Sequence, residues 1–215
     1  MIIVGAKGLA KELLEIVYLK NWKPNDLYFF DNVSKDLPDK LYDNYDIIMT
    51  IEECKSLFKT HLFCLGVGNP KVRYKLYKLM KSNGGEPGNV IADSADIGSF
   101  GTTIGTACTI MNNVIITNDV TIGDGCLINI NACIGHDSKI GNFVEICPSV
   151  NISGHVTVGD FCTLGTGCII LPNVTIGNNC SIGAGCVVHQ DVPDNSIVSC
   201  LPGRIVKNNP PFPES

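Results

Sequence analysis

The sequence predicts two folds in succession: a small α/β domain, then a parallel β-solenoid with three short sides per coil. Three observations predict this. Charge is unevenly spread along the 215 residues, aliphatic residues recur every six positions over the second half, and the N-terminal third opens with a short apolar run, a glycine turn and leucines and isoleucines at helical spacing.

Charged residues make up 17% of the chain, against roughly 25% in an ordinary domain. Residues 1–96 carry 26 of the 37 charges, whereas Ile97–Val188 carry six: Asp119, Asp124, Asp137, Lys139, Glu145 and Asp160. Phe161–Gln190 is a run of 30 residues without Asp, Glu, Lys or Arg. It is long enough for a membrane span of about 20 apolar residues, but Gly, Asn, Thr, Pro and Ser recur every few positions, so a transmembrane helix is rejected. The first residues show no basic segment leading into an apolar core with a cleavage site, and a cytoplasmic location is expected. A net charge of −5 disfavours a nucleic-acid partner, and Lys71–Lys81 reads as the polar face of a helix.

From Ile104 to Val188, fifteen consecutive hexads keep an aliphatic residue in register without an insertion. Four residues after each aliphatic position stands a small or β-branched residue, from Cys108 and Val114 through Ala132 and Ser138 to Val192. These two positions lie two residues apart across the hexad junction, so in an extended segment both point to one face, the interior. Gly, Asn and Asp between them supply a turn per unit, and a six-residue period with a turn in each unit is neither a helix nor a long strand. Three hexads close a coil of 18 residues, and five coils at about 4.8 Å make a column of roughly 24 Å. Ile91 and Ile97 add a partial coil, with a one-residue slip before Ile104. Six of the 11 cysteines occupy the second interior position and no Cys-x-x-Cys pair exists, so the cysteines are expected to be reduced, buried and apolar instead of disulfide-bonded or metal-bound.

This pattern resembles the hexapeptide-repeat acyltransferases. The resemblance implies a left-handed parallel β-helix and a homotrimer with active sites between subunits.

Ahead of the repeat, Met1–Val4 reads as a strand, Gly5-Ala6-Lys7-Gly8 as a turn, and Leu9–Lys20 as a helix. A strand, glycine turn and helix N-terminus form an anion site, because unpaired N–H groups and the helix dipole face the bound phosphate. Leu27–Phe30 reads as a second strand ending at Asp31-Asn32, where a ribose or base would be hydrogen-bonded. Leu62–Val67 reads as a third, ending at Gly68-Asn69-Pro70 before a helix from Lys71 to Ser82. Some 85 residues of this pattern suit half a dinucleotide fold, enough for one nucleotide. The expected boundaries are 1–85 for this half-Rossmann-like domain, 86–196 for the β-helix and 197–215 for a C-terminal capping segment.

Such a domain directly before a hexapeptide column resembles the sugar acetyltransferase group that includes the sialic acid O-acetyltransferases and the N-acetyltransferases of nucleotide-linked amino sugars. In that group the N-terminal domain holds the nucleotide of the sugar donor. The resemblance carries Gly5, Lys7, Gly8, Asp31, Asn32, Gly68 and Asn69 over as substrate contacts. Two departures stand out: Lys7 replaces the usual Ser or Gly, and Leu9 a usual His. Lys7 reads either as a phosphate partner or as a solvated lysine.

Of four histidines, His136 stands at the third position of the Ile134 hexad, which faces outward or lies at a corner. Asp137 follows it and is placed to orient the imidazole and stabilise its cation. Ile134-Gly135-His136-Asp137 resembles the family's catalytic segment, which implies a His general base and an orienting acid. One coil above His136 is Gly154 and one below is Asn118. Gly154 reads either as room and a free N–H for a thioester carbonyl or as a turn glycine, and Asn118 either as a sugar contact or as part of a surface ladder. Where some family members carry a second histidine nine residues on, near the acetyl group, this chain has Glu145, which is expected beside His136 and either takes an acetyl-CoA contact or leaves that contact missing. His155 reads as a surface residue near the site but off the stacked column.

Thr166 and Ala184, each between two glycines and 18 apart, line a face of little bulk suited to pantetheine. Leu201-Pro202-Gly203-Arg204 resembles the family's closing turn against the adenosine part of CoA, with Arg204 and Lys207 toward its phosphates. The expected reaction is direct acetyl transfer from acetyl-CoA to a nucleotide-linked amino sugar in bacterial surface-glycan biosynthesis, with no metal. A cysteine-borne acyl intermediate is disfavoured because most thiols lie in the core. O-acetylation of a sugar hydroxyl uses the same base and donor. A zinc carbonic anhydrase would need three histidines at suitable spacing, and a non-enzymatic scaffold would bind no acetyl-CoA.

Overall fold

The computed structural model describes residues 1–20 and 26–200. The N-terminal unit contains strands β1 (Ile2–Val4), β2 (Tyr28–Phe30), β3 (Lys40–Leu41), β4 (Tyr45–Ile48) and β5 (Phe63–Leu65), with helices α1 (Gly8–Leu19), α2 (Ile51–Leu57) and α3 (Pro70–Ser82). Their order in the sheet is β3-β4-β2-β1-β5, parallel except for the β3–β4 hairpin. Ile2, Ile3 and Val4 are fully buried, as a central parallel strand covered on both faces requires. The chain runs outward from β1 to β2 on one side and to β5 on the other. The carboxyl ends of these three strands therefore open the crevice where such sheets bind ligands.

The third expected strand is shorter than Leu62–Val67, and the helix after it starts one residue early. Pro70 has no N–H to leave unpaired in the first turn, and the Asn69 side chain caps the helix by accepting from the Lys71 and Val72 N–H groups at 3.1 Å. The hairpin and α2 carried no sequence expectation, since both are too short to show a period.

The second unit is a column of eighteen two-residue strands, β6 (Val90–Ile91) to β23 (Ile197–Val198). They form three parallel sheets in which each strand up to β22 pairs with the strand three before or after it, and Ile116, Ile134, Ile152, Ile170 and Val188 stack in one ladder. The chain thus adopts a half-Rossmann-like domain followed by a left-handed parallel β-helix. The column runs past the expected boundary at 196, because Ile197–Val198 still pairs with Ser181–Ile182.

Both interior positions of the hexads are buried from Cys108 onward, Ile104 being partly buried, and each fully buried Ile or Val contributes about 1.5–3 kcal/mol. All 11 cysteines are free, and the six at the second position are buried. Four of them do more than fill space: Cys108, Cys126, Cys162 and Cys180 direct Sγ at the carbonyl oxygens of Gly123, Gly141, Gly177 and Pro193 in the next coil, at 2.9–3.1 Å. Each corner places one residue at positive φ, for which Asn, Asp and Gly are suited. Phe143 and Phe161 take this conformation too, at φ 53° and 58°. Their rings stack at 5.8 Å and meet the edges of Tyr74 and Tyr77 from α3, which offsets the backbone cost.

The two units share an interface. Met111 and Leu127 join the core beneath α1, and Ala107 and Phe143 join that beneath α3. Arg73 on α3 is buried between them. Its Nε donates to the Gly125 carbonyl at 2.7 Å and its Nη2 to that of Val144 at 2.9 Å, while Nη1 donates to the Val67 and Gly68 carbonyls of its own unit. The connecting segment is bonded along β5, with Phe63 N–H donating to Glu86 O and Gly88 N–H to Phe63 O. No described helix is long and apolar enough to cross a membrane.

Candidate active site

Two regions gather the residues singled out in the sequence. The first is the crevice at the carboxyl ends of β1, β2 and β5, a cleft of about 210 Å3 whose lining includes Gly5, Asp31 and Asn32 with Val67 and Val72. Gly5 turns there at φ +111°, and a Cβ would sit 2.9 Å from the Gly66 carbonyl oxygen, so only glycine lets the β1 turn lie against the β5 loop. Asp31 closes the turn after β2: its carboxylate accepts from the N–H groups of Ser34 (2.9 Å), Val33 (3.1 Å) and Ala6 (3.2 Å). Burial pushes its pKa up, but these donors outweigh it and hold the carboxyl below its usual range. Lys7 and Gly8 are exposed at the start of α1, which has no side-chain cap. Asn69 spends its side-chain oxygen capping α3.

The second region is the corner between the sheets of β13 (Cys133–Ile134) and β14 (Lys139–Ile140). His136 and Asp137 are exposed there, and His136 Nδ1 lies 2.7 Å from Asp137 Oδ2. A carboxylate only accepts, so Nδ1 carries the hydrogen and Nε2 presents a lone pair. The hydrogen bond from His136 is the main cause holding the Asp137 carboxyl below its ordinary value, and it keeps the acid ionised. The corner is tied to the coil above by Ser138, the polar exception among the interior positions. Its buried hydroxyl donates to Ser153 O at 3.1 Å and accepts from Val156 N at 3.2 Å.

Gly154 lies directly over the imidazole. A Cβ there would stand 2.7 Å from both Cε1 and Nε2 of His136. Gly154→Ala is therefore expected to swing the ring and lower turnover roughly 100-fold, as misplacement of a catalytic group by about 1 Å does. The backbone φ of Gly154 is not left-handed, so thermal stability should change little. Turnover close to that of the parent would show that the ring has room to spare.

Two placements differ from expectation, those of His155 and Glu145. His155 is in the cluster: it stands 18 residues from Asp137, one coil above it, with Nε2 3.7 Å from Asp137 Oδ2 and its ring edge-on to His136 at 5.1 Å. Counting from His136 hid this, whereas counting from Asp137 reveals it. Glu145 is not beside His136. It projects from β15 (Glu145–Ile146), in the sheet that meets the N-terminal unit, and its Oε1 lies 2.7 Å from where a Cβ on Gly68 would be. Burial raises its pKa, and the nearby Arg73 opposes this. The Asn118 side-chain oxygen faces the coil below, accepting from Phe100 N at 3.4 Å, so it serves the corner ladder. Thr166 and Ala184 are exposed along another edge of the column, between the strands of a different sheet pair, and one chain alone does not bring them to His136. Their flanking glycine amides at Gly167 and Gly185 already donate to Pro148 O and Thr166 O at 2.9 Å. Arg204 and Lys207 lie outside the described residues.

Comparisons with known proteins agree with this architecture. The PglD N-terminal domain family matches residues 1–80, the bacterial transferase hexapeptide (six repeats) residues 155–190, and the hexapeptide repeat of succinyl-transferase residues 92–118. No curated protein matches the chain. Among solved structures, a point mutant of perosamine N-acetyltransferase from Caulobacter crescentus, in complex with CoA and GDP-perosamine, is 26% identical, with TM-score 0.82 over 91% of both chains. The acetyltransferase domain of PglB from Neisseria gonorrhoeae FA1090, in complex with acetyl coenzyme A, is 24% identical, with TM-score 0.82 over 91% of this chain and 93% of that one. WeeI from Acinetobacter baumannii AYE is 24% identical, with TM-score 0.84 over 92% and 95%. Fold and repeat together define the class: this is a hexapeptide-repeat acyltransferase. With a PglD-type domain ahead of the β-helix, it resembles the hexapeptide-repeat sugar acetyltransferases.

Proposed function

We propose that the chain transfers an acetyl group from acetyl-CoA directly to the amine of a nucleotide-linked sugar, in the synthesis of a bacterial surface glycan. The observation that carries this is the His136–Asp137 pair, whose bare Nε2 faces the space left by Gly154. The amine nitrogen attacks the thioester carbonyl, Nε2 takes its proton, the C–S bond breaks, and CoA leaves as the thiolate. Asp137 holds the tautomer and stabilises the imidazolium. No group on the protein is acylated: the described thiols near the column centre are buried, and burial pushes Cys162 up to about 11 and Cys168 up to about 12.

The cleft around Gly5, Asp31 and Asn32 would hold the nucleotide, with the uncapped α1 N-terminus, Lys7 and Gly8 toward its phosphates. A homotrimer fits the outward face of β10 (Ile115–Ile116), β19 (Ile169–Ile170) and β22 (Val187–Val188), where Ile115, Ile169 and Val187 are exposed in one sheet. A neighbouring copy on that face would be needed to bring the Thr166–Ala184 edge to a His136.

The test is thiol release from acetyl-CoA with a panel of UDP-, GDP-, dTDP- and CMP-linked amino sugars. Turnover with one nucleotide class, and none with the free sugars, is expected. Absence of release with every amine acceptor, together with release to a hydroxyl sugar, would overturn the amine assignment.

A further inference from the structure

We propose that His136, Asp137 and His155 form a reversible binding site for a divalent transition metal of the zinc class, and that its occupation switches the enzyme off. One nitrogen from each imidazole and one Asp137 oxygen lie within 4.8 Å of one another, all three side chains being exposed. Two imidazoles with one carboxylate suit Zn2+, Co2+ or Ni2+ better than the oxygen-seeking Mg2+ or Ca2+, and three protein ligands leave open positions for water.

The fold builds this set rigidly. Asp137 and His155 occupy equivalent corners one coil apart, bonded through His155 N–H to His136 O at 2.8 Å, and Ser138 clamps the same two corners from inside. His155 also pays a backbone cost. It sits at φ 57°, a position filled by Asn113, Asn131, Asn173 and Asn179 at sister corners. Its ring meets Asp137 and His136.

A metal held through His136 Nδ1 breaks the bond to Asp137, and one held through Nε2 takes the lone pair that accepts the proton. Either way the base is lost, an effect that rests on the function proposed above. Metal binding itself does not.

Calorimetry of the chelator-treated full chain with zinc chloride tests the site without any substrate. One ion per chain is expected, with affinity falling by roughly tenfold or more in His155→Asn, since loss of a direct ligand costs at least what loss of an outer-shell partner does. Asparagine is native at the sister corners, so this variant should fold. Zinc binding that survives His155→Asn, or its absence in the parent, would overturn the site. In the turnover assay, zinc should inhibit the parent, EDTA should restore it, and His155→Asn should resist. If zinc binds as described but turnover is indifferent to it, the metal site stands, and the switch falls together with the base assignment.

Discussion

Replacing His136 by alanine is expected to lower thiol release from acetyl-CoA by about 10²–10⁴-fold, the range that a positioned general base supplies. The loss should fall on kcat, with little change in KM for the nucleotide sugar, because proton removal matters in the transition state and, in the function proposed, the nucleotide is bound by the other cleft. Adding Asp137→Asn to the His136→Ala chain should cost almost nothing further, since Asp137 acts through the imidazole it bonds at 2.7 Å. In the parent, Asp137 stays ionised well into the acid range because the His136 hydrogen bond holds its pKa down. The orienting charge is therefore present above the carboxylate range and is lost only as pH falls through that depressed value. Undiminished turnover in His136→Ala, measured at saturating and limiting acceptor, would remove His136 from the mechanism.

Arg73→Ala is expected to give the largest loss of stability, about 3–5 kcal/mol in chemical denaturation. The guanidinium bridges four backbone carbonyls, of which those of Gly125 and Val144 belong to the β-helix and those of Val67 and Gly68 to the N-terminal unit. Its removal leaves those carbonyls with less compensation in a buried interface and breaks the polar tie between the units. Arg73→Lys should recover only part of the loss, since an ammonium cannot span the fork. The variant should also become pH-sensitive. Glu145 already has a raised pKa from burial, and it loses the cation that opposes this. A carboxyl whose folded pKa lies above its unfolded one destabilises the fold as pH rises, so the deficit of Arg73→Ala should grow from pH 4.5, the ordinary value of the group, upward. A midpoint unchanged from the parent at neutral pH would show that the interface holds without the guanidinium.

Much of this protein is legible residue by residue. The 18-residue stack, the interior positions and the placement of Gly154 over His136 all follow from counting hexads, because parallel in-register pairing repeats one local geometry. The same count, taken from Asp137, places His155 as well. Ser138 looked like one more small interior residue, and its role as a clamp between two corners appears only once the coils are stacked.

The charge-poor second half thus determined by itself a column, its interior and its corners, since the information sits in residues six and eighteen apart. What only the tertiary structure decided is which side of that column the N-terminal unit covers. Arg73, the Phe143–Phe161 stack under α3 and the location of Glu145 against Gly68 all follow from that choice. The three sides carry the same repeat, so no period distinguishes them. The choice is made by shape and burial between residues some 50 to 80 positions apart, such as Arg73 with Gly125 and Val144, and such contacts leave no periodic trace in the chain.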